Sequence, residues 1–171
     1  MKLYKCNVVL TALVSLCLTS ATMAADRPDF SGEWNLNIVK SDFGAYRPTP
    51  VGSVLKIDHK DPILKVTRTI ATDKGVITTE SVYSTDGKET TNKGYAALGP
   101  DGVRQTPRGL QMKNAAKWDD SALVIETPIS SNGANFKIQW KWILSADGKT
   151  LSTVRTFAQG EQPQTEVYVK K

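Results

Sequence analysis

From about residue 26 to the C-terminus the chain repeats one pattern, a run of β-forming residues, a tight-turn signal, then another run. That cadence constrains the fold more than any other feature, because it leaves no convincing helical stretch. The turn signals are Asp61-Pro62, Asp73-Lys74-Gly75, Asp86-Gly87, Asp119-Asp120, Asn132-Gly133, Asp147-Gly148 and Gly160 to Pro163. Each supplies a residue that tolerates positive φ, or a proline with preset φ. Strands are predicted over 33–40, 53–60, 63–71, 75–84, 88–95, 109–118, 122–130, 135–144, 149–158 and 164–170. The period of two is cleanest in 135–144, where Phe136, Ile138, Trp140, Trp142 and Leu144 alternate with Asn135, Lys137, Gln139 and Lys141. One wet and one dry face is the pattern of a barrel wall. The expected fold is therefore all-β, a single antiparallel up-and-down β-barrel of about 8–10 strands, closed so that no edge is exposed.

The N-terminus reads differently. Lys2 and Lys5 precede an apolar run from Val8 to Leu18, and Ser20 to Ala25 is rich in small residues. Charged start, short apolar centre and small-residue end are the three parts of a secretory signal, with cleavage expected after Ala24. The run is too short to span a bilayer comfortably, and Leu16 stands before Cys17 where a lipid anchor needs a small residue. Expected domains are thus a signal peptide at 1–24 and one barrel at 25–171, periplasmic or secreted and not lipid-anchored. Both cysteines, Cys6 and Cys17, fall in the leader, so the barrel must hold without disulfides. Loss of Lys2 and Lys5 lowers the formal charge from +5 to +3, too little to argue for nucleic acid. An outer-membrane barrel is disfavoured by mid-strand lysines and by the Val169-Lys170-Lys171 end.

Phe30-Ser31-Gly32-Glu33-Trp34-Asn35-Leu36 resembles the opening of the lipocalin and fatty-acid-binding-protein superfamily, the calycins, which begin their first strand with Gly-x-Trp. The stretches Asn35 to Gly44, Ile57 to Pro62, Asp86 to Asn92 and Ser145 to Thr150 are similar to exported bacterial lipocalin-like proteins of unassigned function. The resemblance implies that Trp34, after Gly32, plugs one end of the barrel and that a late basic residue packs across it. Arg155 is the candidate. Two departures stand out. Residues 41–52 are too few, and too rich in Pro and Gly, for the helical lid of fatty-acid-binding proteins. Where those proteins carry Arg-x-Tyr on the last strand, this chain reads Glu166-Val167-Tyr168.

A three-residue Asp73-Lys74-Gly75 loop would set Thr72 opposite Val76, Val66 opposite Val82 and Arg68 opposite Glu80. With that face inward, Arg68 and Glu80 form a charged pair in an apolar lumen, able to orient a polar ligand group. With the faces reversed it is a surface bridge. The expected binding residues are Phe136, Ile138, Trp140 and Trp142 for the wall, with Arg68, Glu80 and Arg155 for a polar end. His59 is the only histidine, and zinc wants about four ligands, so no metal and no other cofactor is expected. With no Cys nucleophile in the barrel and no Gly-x-Ser-x-Gly turn, no catalytic residue is assigned. Between residues 93 and 117, Lys93, Arg104, Arg108, Lys113 and Lys117 face Asp101 alone, a basic stretch suited to weak contact with anionic groups. The functional expectation is a carrier of a small apolar or amphipathic ligand. Its rival is an interaction or scaffold module whose barrel is filled by its own side chains.

Overall fold

A computed structural model describes residues 27–44, 50–72, 75–93, 111–131, 134–157 and 162–171. The leader expected at 1–24, the Asn132-Gly133 turn, residues 73–74 and 158–161, and the long loop at 95–108 lie outside the described residues. Within them run ten strands, β1 (Gly32–Leu36), β2 (Gly52–Lys60), β3 (Ile63–Thr72), β4 (Gly75–Ser84), β5 (Asp86–Lys93), β6 (Gln111–Asp119), β7 (Ala122–Ser131), β8 (Ala134–Leu144), β9 (Thr150–Phe157) and β10 (Gln164–Lys170). They make one antiparallel sheet in the order β4-β3-β2-β1-β10-β9-β8-β7-β6-β5. The first strand pairs with the last, and the sheet curls into a nearly closed up-and-down barrel.

Alternation decides which side chains fill it. On β8, Trp142 is buried and Trp140, Ile138 and Phe136 are half-buried, while Asn135 and Lys137 are exposed. The turns at Asp61-Pro62, Thr85, Asp120 and Ser145 to Lys149 gather at one end of the barrel, which the chain has packed shut. Phe30, Trp34, Leu64, Leu123 and Leu151 are all fully buried there. The Phe30 ring stacks on Trp118 at 5.8 Å and on His59 at 5.7 Å, and meets Trp142 edge-on at 5.8 Å. Trp118 thus belongs to this plug.

Trp34 is anchored by its indole N–H, which donates to the Phe30 carbonyl at 2.9 Å. The basic residue across its ring is Lys170, with Nζ 5.1 Å from the ring centroid, and not Arg155. Pairing explains the correction, since Trp34 lies opposite Lys170 on β10, whereas Arg155 lies on β9 opposite Gln164. Gly32 makes room for the lysine. Its φ is +132°, and a Cβ there would stand 2.9 Å from Lys170 Cε.

Two local expectations change. The first strand stops at Leu36 instead of running to residue 40, because Asn37 caps a 3-10 turn over Ile38–Lys40 through its side-chain oxygen. The β3–β4 hairpin is one residue tighter than predicted. Thr72 pairs with Gly75, which itself joins the ladder at φ +135°, so Val66 faces Ser81 and Arg68 faces Thr79. A one-residue slip turns every partner to the other face. Glu80 therefore lies opposite Thr67 and is exposed.

Because Trp34 is sealed on all sides, Trp34→Ala is expected to cost ~3–5 kcal/mol of unfolding free energy, the range for large buried aromatics. Urea denaturation followed by far-UV circular dichroism checks this. A loss below about 1 kcal/mol would mean that the plug is not held by Trp34.

Candidate functional site

Beyond the plug the barrel is hollow. A cavity of about 240 Å³ runs through its other half. Its apolar wall comes from Leu55, Val66, Ile125, Ile138, Trp140 and Trp142, each contributed by strand parity. Three of the four predicted wall residues on β8 thus reach the cavity. Phe136 lies further along the same face, opposite Ile129, and does not line it.

The opposite side of the cavity is polar, and its centre is an ion pair. Arg68 Nη2 donates to both carboxylate oxygens of Glu166, at 2.8 and 3.0 Å, and Nε approaches Ser53 Oγ at 3.4 Å. The Tyr168 hydroxyl donates to the same carboxylate at 2.9 Å. Glu166 is almost completely buried and Arg68 mostly so. Burial alone would lower the pKa of Arg68, but the adjacent Glu166 charge overrides it and raises the value. The Tyr168 phenol is pushed up, first by burial. The partner of Arg68 is therefore Glu166 on β10 and not Glu80. Beyond Leu36 the chain leaves the ladder as an exposed turn over Ile38 to Lys40 and rejoins β10 at Asp42, which bridges Thr165.

Around the couple sit further inward polar groups. Thr127 Oγ1 donates to Asn114 Oδ1 at 2.7 Å, and buried Thr153 lies directly opposite Glu166 on the neighbouring strand. Arg155 lines the cavity with its guanidinium 4.0 Å from the Phe157 ring centroid and 5.3 Å from that of Trp140. Glu166, Asn114, Thr127 and Thr153 were missed from sequence. The signal was parity, since Thr127 shares a face with Leu123 and Ile125, and Glu166 shares one with Tyr168.

The sheet's two ends, β4 and β5, meet without a backbone ladder. Beyond the Ser84–Asp86 contact at their turn, Asn92 bridges them. Asn92 accepts from the Val82 amide through Oδ1 at 2.8 Å and donates to the Val82 carbonyl through Nδ2 at 3.0 Å. It stands in for a strand's peptide group. Tyr83 and Asn92 both border the cavity, so this seam is part of its wall. Of the predicted basic stretch, Lys93 lines the cavity and Lys113 is paired with Glu89 at 2.8 Å, whereas Arg104 and Arg108 lie outside the described residues. His59 is enclosed in the plug, its Nδ1 accepting from the Phe30 amide at 3.3 Å. Among the described residues no group of three or more His, Cys, Asp or Glu side chains converges as a metal site would require.

The nearly closed, ten-stranded antiparallel barrel is a fold shared with fatty-acid-binding proteins. Solved structures agree. The chain superposes on REP1-NXSQ fatty acid transporter with a TM-score of 0.55 at 12% identity, covering 83% of this chain and 96% of that one. For fatty-acid-binding protein 1 of Echinococcus granulosus the TM-score is 0.54 at 14% identity, covering 82% and 96%. For secretory abundant heat soluble protein 4 of Ramazzottius varieornatus it is 0.54 at 15% identity, covering 83% and 94%. No protein-family model and no curated protein matches the sequence.

The Arg68–Glu166 couple should behave as a unit. Arg68→Met or Glu166→Leu alone is expected to cost about 3 kcal/mol by stranding a buried charge, and the double variant to lie within about 1 kcal/mol of wild type. Additive losses in denaturant melts would show the two groups to be independent. For the seam, Asn92→Ala should speed hydrogen exchange at the Val82 amide roughly fivefold, as the loss of a bond worth about 1 kcal/mol requires. The β1–β10 amides serve as the unchanged internal reference.

Proposed function

We propose that this protein is an exported carrier that binds a small apolar or amphipathic molecule inside the barrel. The observation that supports the reading is the cavity itself, about 240 Å³ with an indole wall on one side and hydrogen-bonding groups on the other. An apolar body with a few placed polar groups is the usual make-up of a small-molecule site. The volume is modest, below the 300–1,000 Å³ typical of drug-sized ligands, and it favours a compact ligand. An unfilled half also weighs against the rival reading of a scaffold whose barrel is packed solid. Two of the structural neighbours are by name a fatty acid transporter and a fatty-acid-binding protein, which is in keeping with an apolar ligand. Export rests on the leader pattern at residues 1–24. Among the described residues no helix is long and apolar enough to cross a membrane.

Native mass spectrometry of the protein purified from its own host is the direct test. A small molecule that stays bound in the gas phase and is released on denaturation is the expected result. A bare mass at every purification strength would overturn the carrier reading in favour of a module that acts through protein partners. Trp140 offers the matching variant, because it is half-buried, borders the cavity and lies outside the plug. Trp140→Ala should weaken ligand binding at least about tenfold, ~1.4 kcal/mol, while the β circular dichroism spectrum is kept.

A further inference from the structure

The polar centre of the cavity says which headgroup it takes. We propose that the lumen selects a neutral amphiphile, one ending in a hydroxyl or primary amide, over the carboxylate of the same chain length. The inference rests on the carrier reading above and adds the chemical class of the ligand.

Arg68 is the charge that a carboxylate would seek on this side of the cavity, and it is already taken. Its Nη2 serves both oxygens of Glu166 at 2.8 and 3.0 Å, and one of those oxygens also accepts from Tyr168. An arriving carboxylate meets a guanidinium whose charge is balanced, and a second carboxylate beside it. To pair with Arg68 it must either stand next to Glu166 as a like charge or displace it. Displacement leaves Glu166, whose side chain is 6% exposed, buried without its counter-ion. A neutral group avoids both costs, since it can accept from Arg68 without adding charge.

A second observation locates the headgroup. Thr153 is 3% exposed and its Oγ1 has no hydrogen-bond partner among the described residues. It borders the cavity and sits directly opposite Glu166 across β9 and β10, so the two Cβ atoms are about 4.5–5.5 Å apart. Buried hydroxyls are rarely left unpartnered. A ligand hydroxyl or amide between Thr153 and the couple would both donate and accept, whereas an ionised carboxylate only accepts. Arg155 lies two residues further toward the open end, against the rings of Phe157 and Trp140. Arg155 therefore stands nearer the mouth of the cavity than Thr153 does. With about 240 Å³ available, against roughly 150 Å³ for a cavity that holds benzene, a short chain or a single ring with a polar end is the right size.

Calorimetric titration with octan-1-ol, octanamide and octanoate, at a pH where octanoate is ionised, tests this. The alcohol and the amide should bind at least about tenfold more tightly than the acid, ~1.4 kcal/mol. Glu166→Gln, which frees the charge of Arg68 without removing hydrogen-bonding atoms, should reverse or erase that preference. Octanoate binding the wild type as tightly as octanol, with no change in Glu166→Gln, would place the anion at Arg155 and overturn the inference while sparing the carrier reading. Binding by none of the three would count against both. The wild-type comparison stands even where the variant fails to fold.

Discussion

The barrel hangs on five residues. Gly32–Leu36 pair with β2 on one side and with β10 on the other, and without that strand the sheet would open between the beginning and the end of the chain. On the closed side Trp34 is brought under Lys170, held by the Phe30 carbonyl, and sealed by the stack of Phe30, His59 and Trp118. On the open side the strand gives way at Asn37 to a 3-10 turn, and the chain stays tied to β10 by the Asn37–Val167 and Asp42–Thr165 backbone bonds. The same short segment thus seals one half of the barrel and joins the beginning of the chain to its end.

Closure is backbone-mediated everywhere except at the β4–β5 seam. A strand edge with unpaired amides is a hazard for aggregation, and a full ladder would remove it. This chain bridges the edge at Val82 with one asparagine side chain, whose amide has the donor and acceptor of a peptide. One side chain is easier to separate than a ladder of backbone bonds. The barrel is weakest beside its cavity, while the packed core lies at the other end. The packed core and the side-chain-bridged seam are thereby separated along the barrel axis.

Most of the fold was legible in the sequence because the alternation in β8 and the turn residues between strands report local geometry. What a single residue of loop length decides was not legible. Asp73-Lys74-Gly75 reads equally well as a three-residue loop or as a two-residue one whose glycine joins the ladder. That choice moved the partner of Arg68 from Glu80 to Thr79 and sent Glu80 to the outside. Glu166 was visible as an acid two residues before Tyr168, but its partner is 98 positions away and was not legible. Arg155 was misplaced for a related reason. Its parity is inward, as read, but its level along the barrel depends on the β9–β10 register, which sets it opposite Gln164. Parity gives the face, and only pairing gives the height.

Height is what matters to the couple. Near the plug, Arg68 and Glu166 would be buried among Leu64, Leu123 and Leu151, where two charges cost more to desolvate than a well-packed apolar pair. At the mouth they would be wet and of little consequence. They stand between these limits, with Leu55 and Val66 on the apolar side and the cavity on the other. A charged pair retained at that level contributes little net stability, since removing both members is expected to cost almost nothing. Its effect lies in the field it presents to whatever enters. Balanced by Glu166, Arg68 offers donors without net charge, and the lumen gains a polar end that is not an anion trap.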